Sequence, residues 1–423
     1  MKIFFYKYNI NGINKKGGST KNMWQEKFSE RSKTMKASAI RELLKFTETP
    51  EIISFAGGMP DPQLFPKEIL GEIANDVFVN MSEKALQYGP TEGVRPLRET
   101  VIKMMHEEGI PNVAMENVII TTASQQALDL IAQILIDPGD TVIVEAPSYV
   151  GGLQAFQAFQ AKFVTIPLDN DGIKTDLLEK KIQELLSKGE KIKALYVIPN
   201  FQNPAGVTLS LERRKDLIRI SHEYNIPIVE DDPYGEIRFK GEKLPSLLQL
   251  DSIGNIIELR TFSKILAPGF RLGWVIADKE IIAKIGLAKQ AADLCSPSST
   301  QYIADKFLRG GYIENYLENV RTVYKEKKDA MLMAMEKYFP KEVTWTKPDG
   351  GMFIWAETPN YINTDELFHE AVNNYKVAYV IGSAFYPYGE DTNHMRLNFT
   401  LSTLEQIDEG IKRLGTLLKS KIK

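Results

Sequence analysis

Lys264 lies among residues that could carry out covalent chemistry beside a phosphate group. It occurs in Thr261-Phe-Ser-Lys264, directly after the apolar run Ile256-Ile-Glu-Leu259, and Arg271 follows shortly afterwards. A lysine at the end of a buried strand would be desolvated, which lowers its pKa and leaves an amine able to form an imine with a carbonyl. Thr261, Ser263 and Arg271 supply the donors that a phosphate attracts. A lone Ser-Lys pair is more often part of a surface loop, so the prediction depends on other parts of the chain.

Two further apolar runs end in groups that suit a nitrogen heterocycle. Asp231 follows Pro227-Ile-Val229, and its carboxylate could keep a pyridine nitrogen protonated. Tyr234 could donate to a ring oxygen, and Asn203, held extended by the proline after it, could share that oxygen. With an imine-forming lysine and a phosphate site, these groups predict pyridoxal phosphate (PLP), whose pyridinium draws electrons from the substrate's α-carbon. The alternatives are a capping Asp-Asp pair and an ordinary Asn-Pro-x-Gly turn.

Four more side chains could complete such a site. Thr122-Ala-Ser124-Gln125 marks a strand-to-helix junction, where backbone N–H groups with Ser124 as the N-cap would bind an anion. Tyr149 could stack on a flat cofactor. Arg396, within an apolar strand, suits the α-carboxylate of an amino acid. The alternatives are helix capping alone, an aromatic packed on the core and a solvated arginine on an edge strand.

Short apolar runs alternate with longer amphipathic segments from about residue 95 onwards. This pattern predicts an α/β fold with a largely parallel sheet, in which ligands bind beyond the carboxyl ends of the strands. A helix from about Ile313 to Tyr338, followed by strands at Gly351–Trp355, Val377–Ile381 and Met395–Phe399, predicts a smaller α+β domain. We expect a disordered lead at 1–22, a segment at 23–66 joining the small domain, a large domain at 67–310 and a small domain at 311–423.

Composition narrows the functional classes. The chain has 423 residues and a net charge of −3, which disfavours nucleic-acid binding. Its single cysteine, Cys295, excludes an internal disulfide framework and is typical of a reducing cytoplasm. The four histidines are widely spaced, so we expect no metal site built from histidine or cysteine. No apolar run is long enough for a membrane span, and the charged start does not resemble a signal peptide.

Taken together, these motifs resemble the fold-type I PLP enzymes of the class I/II aminotransferase family over about residues 30–415. Phe55-Ala-Gly-Gly-Met-Pro-Asp-Pro62, Gln87-Tyr-Gly-Pro-Thr-Glu-Gly93 and Glu230-Asp-Asp-Pro-Tyr234 resemble the subgroup of aromatic, kynurenine and 2-aminoadipate aminotransferases. The resemblance implies a mostly parallel, seven-stranded type of sheet in the large domain. It also implies a homodimer that transfers amino groups between amino acids and 2-oxo acids, and we expect 2-oxoglutarate as the acceptor.

The resemblance also implies a role for each motif residue. Lys264 would hold the cofactor as an imine, Asp231 would pair with the ring nitrogen, Tyr234 and Asn203 would bind the ring oxygen, and Tyr149 would stack on the ring. The phosphate would be bound by Ser124, Gln125, Thr261, Ser263 and Arg271, and by Tyr88 of the neighbouring subunit. The substrate would meet Arg396, Asn203, Gly57 and Gly58, and its side chain would meet Arg41.

Two other functions share this fold. A β-lyase or decarboxylase would use the same cofactor, and steady release of pyruvate and ammonia without a keto-acid acceptor would identify a lyase. An aminotransferase-like sensor domain of a GntR-type regulator would need an added DNA-binding module. The segment before residue 35 is too short for a winged helix, which disfavours the regulator.

Overall fold

The computed structural model describes residues 24, 26–33, 49 and 51–423. The predicted disordered lead at 1–22 and the predicted substrate contact Arg41 lie outside these residues. Within them, no helix is long and apolar enough to cross a membrane. No group of three or more His, Cys, Asp or Glu side chains in the described part of the chain is arranged to hold a metal ion.

The α-helices are α1 Glu30–Lys33, α2 Lys67–Asn80, α3 Ser82–Ala85, α4 Arg95–Glu107, α5 Ala123–Leu135, α6 Val150–Ala158, α7 Thr175–Ser187, α8 Leu211–Tyr224, α9 Leu247–Leu250, α10 Phe262–Ile265, α11 Lys279–Ala292, α12 Ser298–Arg309, α13 Tyr312–Tyr338, α14 Thr364–Tyr375 and α15 Leu404–Lys419. Short 3-10 helices cover Pro62–Leu64, Met115–Asn117, Pro268–Phe270 and Gly382–Phe385.

The strands are β1 Ile53–Ser54, β2 Val118–Thr121, β3 Thr141–Ala146, β4 Lys162–Asp169, β5 Gly172–Ile173, β6 Ile192–Val197, β7 Ile228–Asp231, β8 Ile256–Thr261, β9 Gly273–Ile276, β10 Thr344–Trp345, β11 Phe353–Glu357, β12 Val377–Ala378, β13 Val380–Ile381 and β14 His394–Asn398.

The large sheet has the strand order β2-β9-β8-β7-β6-β3-β4-β5. The five strands from β8 to β4 are parallel, whereas β9 is antiparallel to both β8 and β2. A two-residue strand, β5, extends the expected seven strands by an antiparallel hairpin on β4. The α/β prediction with a mostly parallel sheet is confirmed. The parallel order brings the carboxyl ends of β6, β7 and β8 together, which is where such sheets bind ligands.

Both faces of the large sheet are covered by helices. Along β3, Val142 and Val144 pack in one apolar cluster with α5, α6 and α11, whereas Ile143 packs in another with α7, α8 and α9. Alternate residues of a strand point to opposite faces, so burial on both faces explains the unbroken apolar runs of the sequence.

The smaller sheet has the order β10-β11-β14-β13 and is antiparallel. The predicted single strand at 377–381 is wrong in one respect, because Tyr379 divides it. Val377 and Ala378 pair in parallel with Ile53 and Ser54, while β13 pairs with β14. The Tyr379 hydroxyl donates to the Thr364 carbonyl at 2.7 Å and fixes the break.

Candidate active site

A cavity of about 300 Å³ opens where β6, β7 and β8 end. Most of the side chains singled out from the sequence line it. They are Gly58, Ser124, Gln125, Tyr149, Asn203, Asp231, Tyr234, Thr261, Ser263, Lys264, Arg271 and Arg396. The cavity therefore gathers groups from both ends of the chain at the carboxyl edge of the large sheet.

Lys264 lies in α10, which begins directly after β8. The Thr261 hydroxyl caps this short helix by accepting from the Ser263 N–H at 3.2 Å. The Lys264 Nζ donates to the Gly58 carbonyl at 2.7 Å. Burial, together with the positive charges of Arg396 and Arg271, lowers the pKa of Lys264 to about 8. A neutral amine is therefore accessible at mildly alkaline pH, as the sequence predicted.

Asp231, the last residue of β7, is a buried carboxylate with one free oxygen. Its Oδ2 accepts from the Tyr196 hydroxyl at 2.8 Å, whereas its Oδ1 has no hydrogen-bond partner among the described residues. Burial raises the pKa of Asp231 to about 7. The neighbouring Asp232 instead caps the turn, because its Oδ1 accepts from the Gly235 N–H at 2.9 Å. Of the two adjacent aspartates, Asp232 therefore caps the turn and Asp231 faces the cavity.

Arg396 is held in place by neutral groups. Its Nη1 donates to Asn203 Oδ1 at 2.9 Å and its Nη2 to the Ala56 carbonyl at 3.1 Å, while its Nε has no partner in the part of the chain that the structure describes. The guanidinium lies 4.1 Å from the centroid of the Phe353 ring. Burial lowers the pKa of Arg396 to about 10. A buried cation without an acidic partner is suited to an anionic ligand.

Asn203 joins Arg396 to a phenol. Its Nδ2 donates to the Tyr234 hydroxyl at 3.4 Å, and burial raises the pKa of Tyr234, so the phenol stays protonated. Asn203 and Tyr234 therefore present neutral donors on the same side of the cavity, next to the arginine.

The opposite end of the cavity is suited to an anion. Ser124 lies in the first turn of α5, and Arg271 donates to the Ser263 hydroxyl at 3.5 Å. A β-carbon on Gly273 would lie 3.0 Å from the Ser124 nitrogen, so β9 and the start of α5 pack without room for a side chain. The prediction of Ser124 as the N-cap is wrong, because the helix begins at Ala123 and Thr122 occupies the cap position. The backbone N–H groups of the first turn are an anion site in either case.

Tyr149 and Gln125 close one side of the cavity. The Tyr149 hydroxyl donates to Gln125 Oε1 at 3.4 Å, and Gln125 Nε2 donates to the Gly151 carbonyl at 2.9 Å. A β-carbon on Gly151 would lie 2.5 Å from both the tyrosine ring and Gln125 Oε1, so the close approach requires glycine.

Two predicted residues do not line this cavity, and a third cannot be placed because it lies outside the described residues. Gly57 is not among the lining residues, Tyr88 is 80% exposed on the surface, and Arg41 lies outside the described residues. Sequence reasoning also missed Tyr196, which supports Asp231 from within β6, and Phe353, which packs on Arg396. Their only signal was an aromatic residue within an apolar run, which also describes an ordinary core residue.

These groups fit PLP. The free Asp231 Oδ1 is an acceptor for a protonated ring nitrogen, and a buried carboxylate otherwise lacks a counter-charge. Tyr234 and Asn203 are donors for a ring oxygen, and the start of α5 with Ser263 and Arg271 suits a phosphate. Lys264 supplies an amine of lowered pKa between these groups.

Comparisons with known proteins agree with this arrangement. The family model described as aminotransferase class I and II matches residues 54–414. Aromatic-amino-acid aminotransferase 1 of Thermococcus litoralis is 48% identical over 95% of this chain and 96% of the relative. The 2-aminoadipate transaminase of Thermus thermophilus is 43% identical over 94% of this chain and 97% of its own.

A crystal structure of Pyrococcus horikoshii kynurenine aminotransferase in complex with PMP is also similar. It has a TM-score of 0.92 and 46% identity, covering 96% of this chain and 100% of the other. The resemblance inferred from the motifs is confirmed: the chain belongs to the class I and II aminotransferases and is a transaminase that depends on pyridoxal phosphate.

Proposed function

We propose that this enzyme moves the amino group of an aromatic, 2-aminoadipate-like or aliphatic L-amino acid to a 2-oxo acid, with 2-oxoglutarate as the acceptor, in a ping-pong sequence. The observation that carries the proposal is that Gly58 lies between Lys264 and Arg396. Its carbonyl accepts from Lys264 Nζ, and a β-carbon on it would lie 3.8 Å from Arg396 Nη2. An α-carboxylate bound by Arg396 would therefore place its α-carbon near the lysine amine.

The roles of the residues follow from their contacts. Asp231 would keep the ring nitrogen protonated, Tyr234 and Asn203 would bind the ring oxygen, and Tyr149 would lie against the ring. The phosphate would be bound by Ser124, Gln125, Thr261, Ser263 and Arg271. When bound, PLP supplies an electron sink for the carbanion at the substrate's α-carbon.

Lys264 is proposed as the group that moves the proton. Once its amine is free, a pKa of about 8 lets it accept a proton at the substrate's α-carbon and return it. Arg396 would orient the substrate by its α-carboxylate, and Asn203 would fix the direction of the guanidinium. Burial of Asp231 and Tyr234 excludes water from these contacts and strengthens them.

The side-chain end of the cavity favours apolar substrates. Met59 and Phe353 line it, and Gly58 leaves space there because it has no β-carbon. Together with the substrates in the relatives' names, this supports an aromatic donor. Gly57 and Arg41 remain proposed contacts for the substrate; Gly57 does not line the described cavity, and Arg41 lies outside the described residues.

We extend the proposal to the assembly. The enzyme would be a cytoplasmic homodimer, with the large domain at 67–310 and the small domain at 311–423, joined by 23–66. Tyr88 would bind the phosphate in the neighbouring subunit. Its high exposure supports this role, because a phenol outside its own cavity is free to enter another.

A panel of amino donors tests the reaction. The purified chain is given phenylalanine, tyrosine, kynurenine, leucine or 2-aminoadipate with 2-oxoglutarate, and the glutamate and new 2-oxo acid are measured. We expect equal amounts of the two products, and no more than one turnover per site when the acceptor is left out. Lys264→Ala should abolish both transfer and the borohydride-reducible adduct. Continuous release of pyruvate and ammonia without acceptor would instead indicate a β-lyase.

A further inference from the structure

Lys289 is a fully buried cation outside the cavity. It lies near the end of α11, and its Nζ donates to both Asp293 oxygens, at 2.8 and 2.9 Å. It also donates to the Ser296 hydroxyl at 3.0 Å and to Gln126 Oε1 at 3.1 Å. Because a buried ammonium is costly without such partners, this set of contacts must remain complete.

The same contacts converge on Thr122. Asp293 Oδ2 accepts from the Thr122 hydroxyl at 2.9 Å and from Gln126 Nε2 at 2.6 Å. Gln126 Oε1 accepts from the Thr122 N–H at 2.7 Å, and the Thr122 hydroxyl lies 3.1 Å from that of Ser296. The Thr122 side chain makes no cap hydrogen bond to its own helix. It is bound instead by this group, which we call the Lys289 cluster: Thr122, Gln126, Lys289, Asp293 and Ser296.

The residues that follow Thr122 line the cavity and are tightly constrained. Ala123 has a φ of +63°, a left-handed conformation that costs a residue with a β-carbon about 1–2 kcal/mol. Gly273 packs so closely that a β-carbon on it would lie 3.0 Å from Ala123 C and from Ser124 N. A strained backbone persists only where its surroundings determine it fully. The Lys289 cluster fixes the residue directly before this peptide.

We propose that Lys289 is a positioning residue for cofactor binding: through Asp293, Gln126 and Thr122 it holds Ala123 and Ser124 in the shape that receives the phosphate. The inference rests on the proposed function, which assigns this end of the cavity to the phosphate. None of the five cluster residues lines the cavity, so each acts through the start of α5 and not by contact.

Lys289→Met tests the role, because it removes the ammonium and keeps most of the side chain's length. The full-length chain is freed of cofactor, and its dissociation constants for PLP and for pyridoxal, which lacks the phosphate, are measured. We expect PLP to bind about 10- to 100-fold more weakly, the loss of one or two charge-assisted contacts, with pyridoxal binding almost unchanged. A purely structural role would weaken both ligands alike or neither, and either result would overturn the inference.

Thr122→Val gives a milder test that does not depend on burying a changed charge. It removes the hydroxyl that meets Asp293 and Ser296 while keeping the shape of the side chain. We expect the same selective loss for PLP, smaller in size, whereas Thr122→Ser should bind like the unchanged chain. Equal PLP affinities of the valine and serine variants would contradict the proposal. This test remains valid even if Lys289→Met fails to fold.

Asp305→Asn is the matched control for loss of a buried charge elsewhere. Asp305 accepts from the Thr100 hydroxyl at 2.6 Å and from Arg309 Nε at 2.8 Å, away from the cavity. We expect it to lower the thermal midpoint but to keep the ratio of PLP to pyridoxal affinity.

The affinities of the chain without substitutions separate the two proposals. If this chain binds pyridoxal as tightly as PLP, both the phosphate assignment and this inference are overturned. If this chain prefers PLP and the variants of the Lys289 cluster keep the same preference, only this inference is overturned.

Discussion

Single residues in this site carry charges that burial leaves unbalanced. In the described part of the chain, Arg396 forms no ion pair and Lys264 donates only to a carbonyl. Burial is the main cause of the lowered pKa of each. The substrate's α-carboxylate would supply the missing negative charge. The buried positive charges thus lack an opposite charge until a substrate binds, and this favours the binding of an anion.

Arg396→Gln should change both substrate binding and the lysine. Loss of the guanidinium should lower kcat/KM for all amino donors by about 10- to 100-fold, because each shares the α-carboxylate. It should also raise the pKa of Lys264, since Arg396 is the charge that lowers this pKa most. Lys264 becomes more reactive as pH rises through its pKa of about 8 and the amine loses its proton. The pH at which its reactivity is half-maximal, the midpoint, should therefore move to higher pH in the variant. The rate at which the cofactor-free chain forms a borohydride-reducible adduct with PLP measures this midpoint.

Arg238→Gln is the matched control for this prediction. Arg238 is half-buried, whereas Arg396 is fully buried, and it likewise lies over an aromatic ring, 4.7 Å from the centroid of Phe201. It is not among the charges that shift the pKa of Lys264. The control should keep the midpoint. An unchanged midpoint in Arg396→Gln would contradict the effect of Arg396 on the pKa of Lys264. A loss of kcat/KM for some donors only would remove Arg396 from the α-carboxylate role.

Residues that follow apolar runs were predictable, whereas those within them were not. Asp231 and Lys264 stand out because a charged group ends a buried strand. Tyr196 supports Asp231 from within the strand, where a phenol looks like any core aromatic residue. Lys289 lies on an amphipathic helix, where lysines are usually solvated. Its partners Gln126 and Ser296 come from separate elements, so only the folded chain shows that it is buried.

At the scale of elements, the anion site depends on how closely β9 approaches α5. Gly273→Ala would place a β-carbon 2.6 Å from the Arg260 carbonyl and 3.0 Å from Ser124 N, so backbone must move. We expect a loss of about 1–3 kcal/mol in the free energy of unfolding, together with weaker PLP binding. Urea unfolding and titration of the cofactor-free chain with PLP measure the two effects.

Gly286→Ala provides the same substitution without the contact. Gly286 lies within α11, and a β-carbon there would have no heavy atom within 4 Å. We expect the free energy of unfolding to rise by about 0.5–1 kcal/mol, because alanine favours a helix more than glycine, with PLP affinity unchanged. Tight PLP binding by Gly273→Ala would show that the close approach is not needed for the anion site.

Pairing of distant strands limited what the sequence could predict about elements. The run at 377–381 is uniformly apolar, so it was predicted as one strand. Its first half pairs with β1, which lies more than 300 residues earlier in the chain, and its second half pairs with β14, which follows shortly afterwards. Helix starts were similarly approximate: α5 begins at Ala123, although Ser124 is the better N-cap by residue type. The prediction of a largely parallel sheet was nevertheless correct, because unbroken apolar runs identify a sheet covered on both faces.

At the scale of the whole molecule, the exposed apolar side chains near Tyr88 support a dimer. Phe78, Val79 and Leu86 are exposed along α2 and the residues after it, and they come within ten residues before Tyr88 in the chain. The loop carrying Tyr88 is anchored, because Gly89 packs against Ser298 too closely for a β-carbon, which would lie 2.7 Å from its hydroxyl. An exposed phenol on a firmly placed loop is suited to a partner's cavity.

Mixing two variants, each impaired in a different way, would show which subunit Tyr88 serves. Lys264→Ala lacks the amine, and Tyr88→Phe lacks the hydroxyl, which should weaken PLP binding by about 10- to 100-fold if it contacts the phosphate. A hybrid dimer then holds one complete site, with Lys264 from one chain and Tyr88 from the other.

An equal mixture, allowed to exchange subunits, should recover about one quarter of the activity of the enzyme without substitutions at limiting PLP. The reason is that half of the dimers are hybrid and each hybrid has one complete site of its two. If Tyr88 served its own subunit, no hybrid site would be complete and activity would stay at the average of the two variants. Light scattering on the same samples should give the mass of a dimer, and a fully active monomer would contradict the shared site.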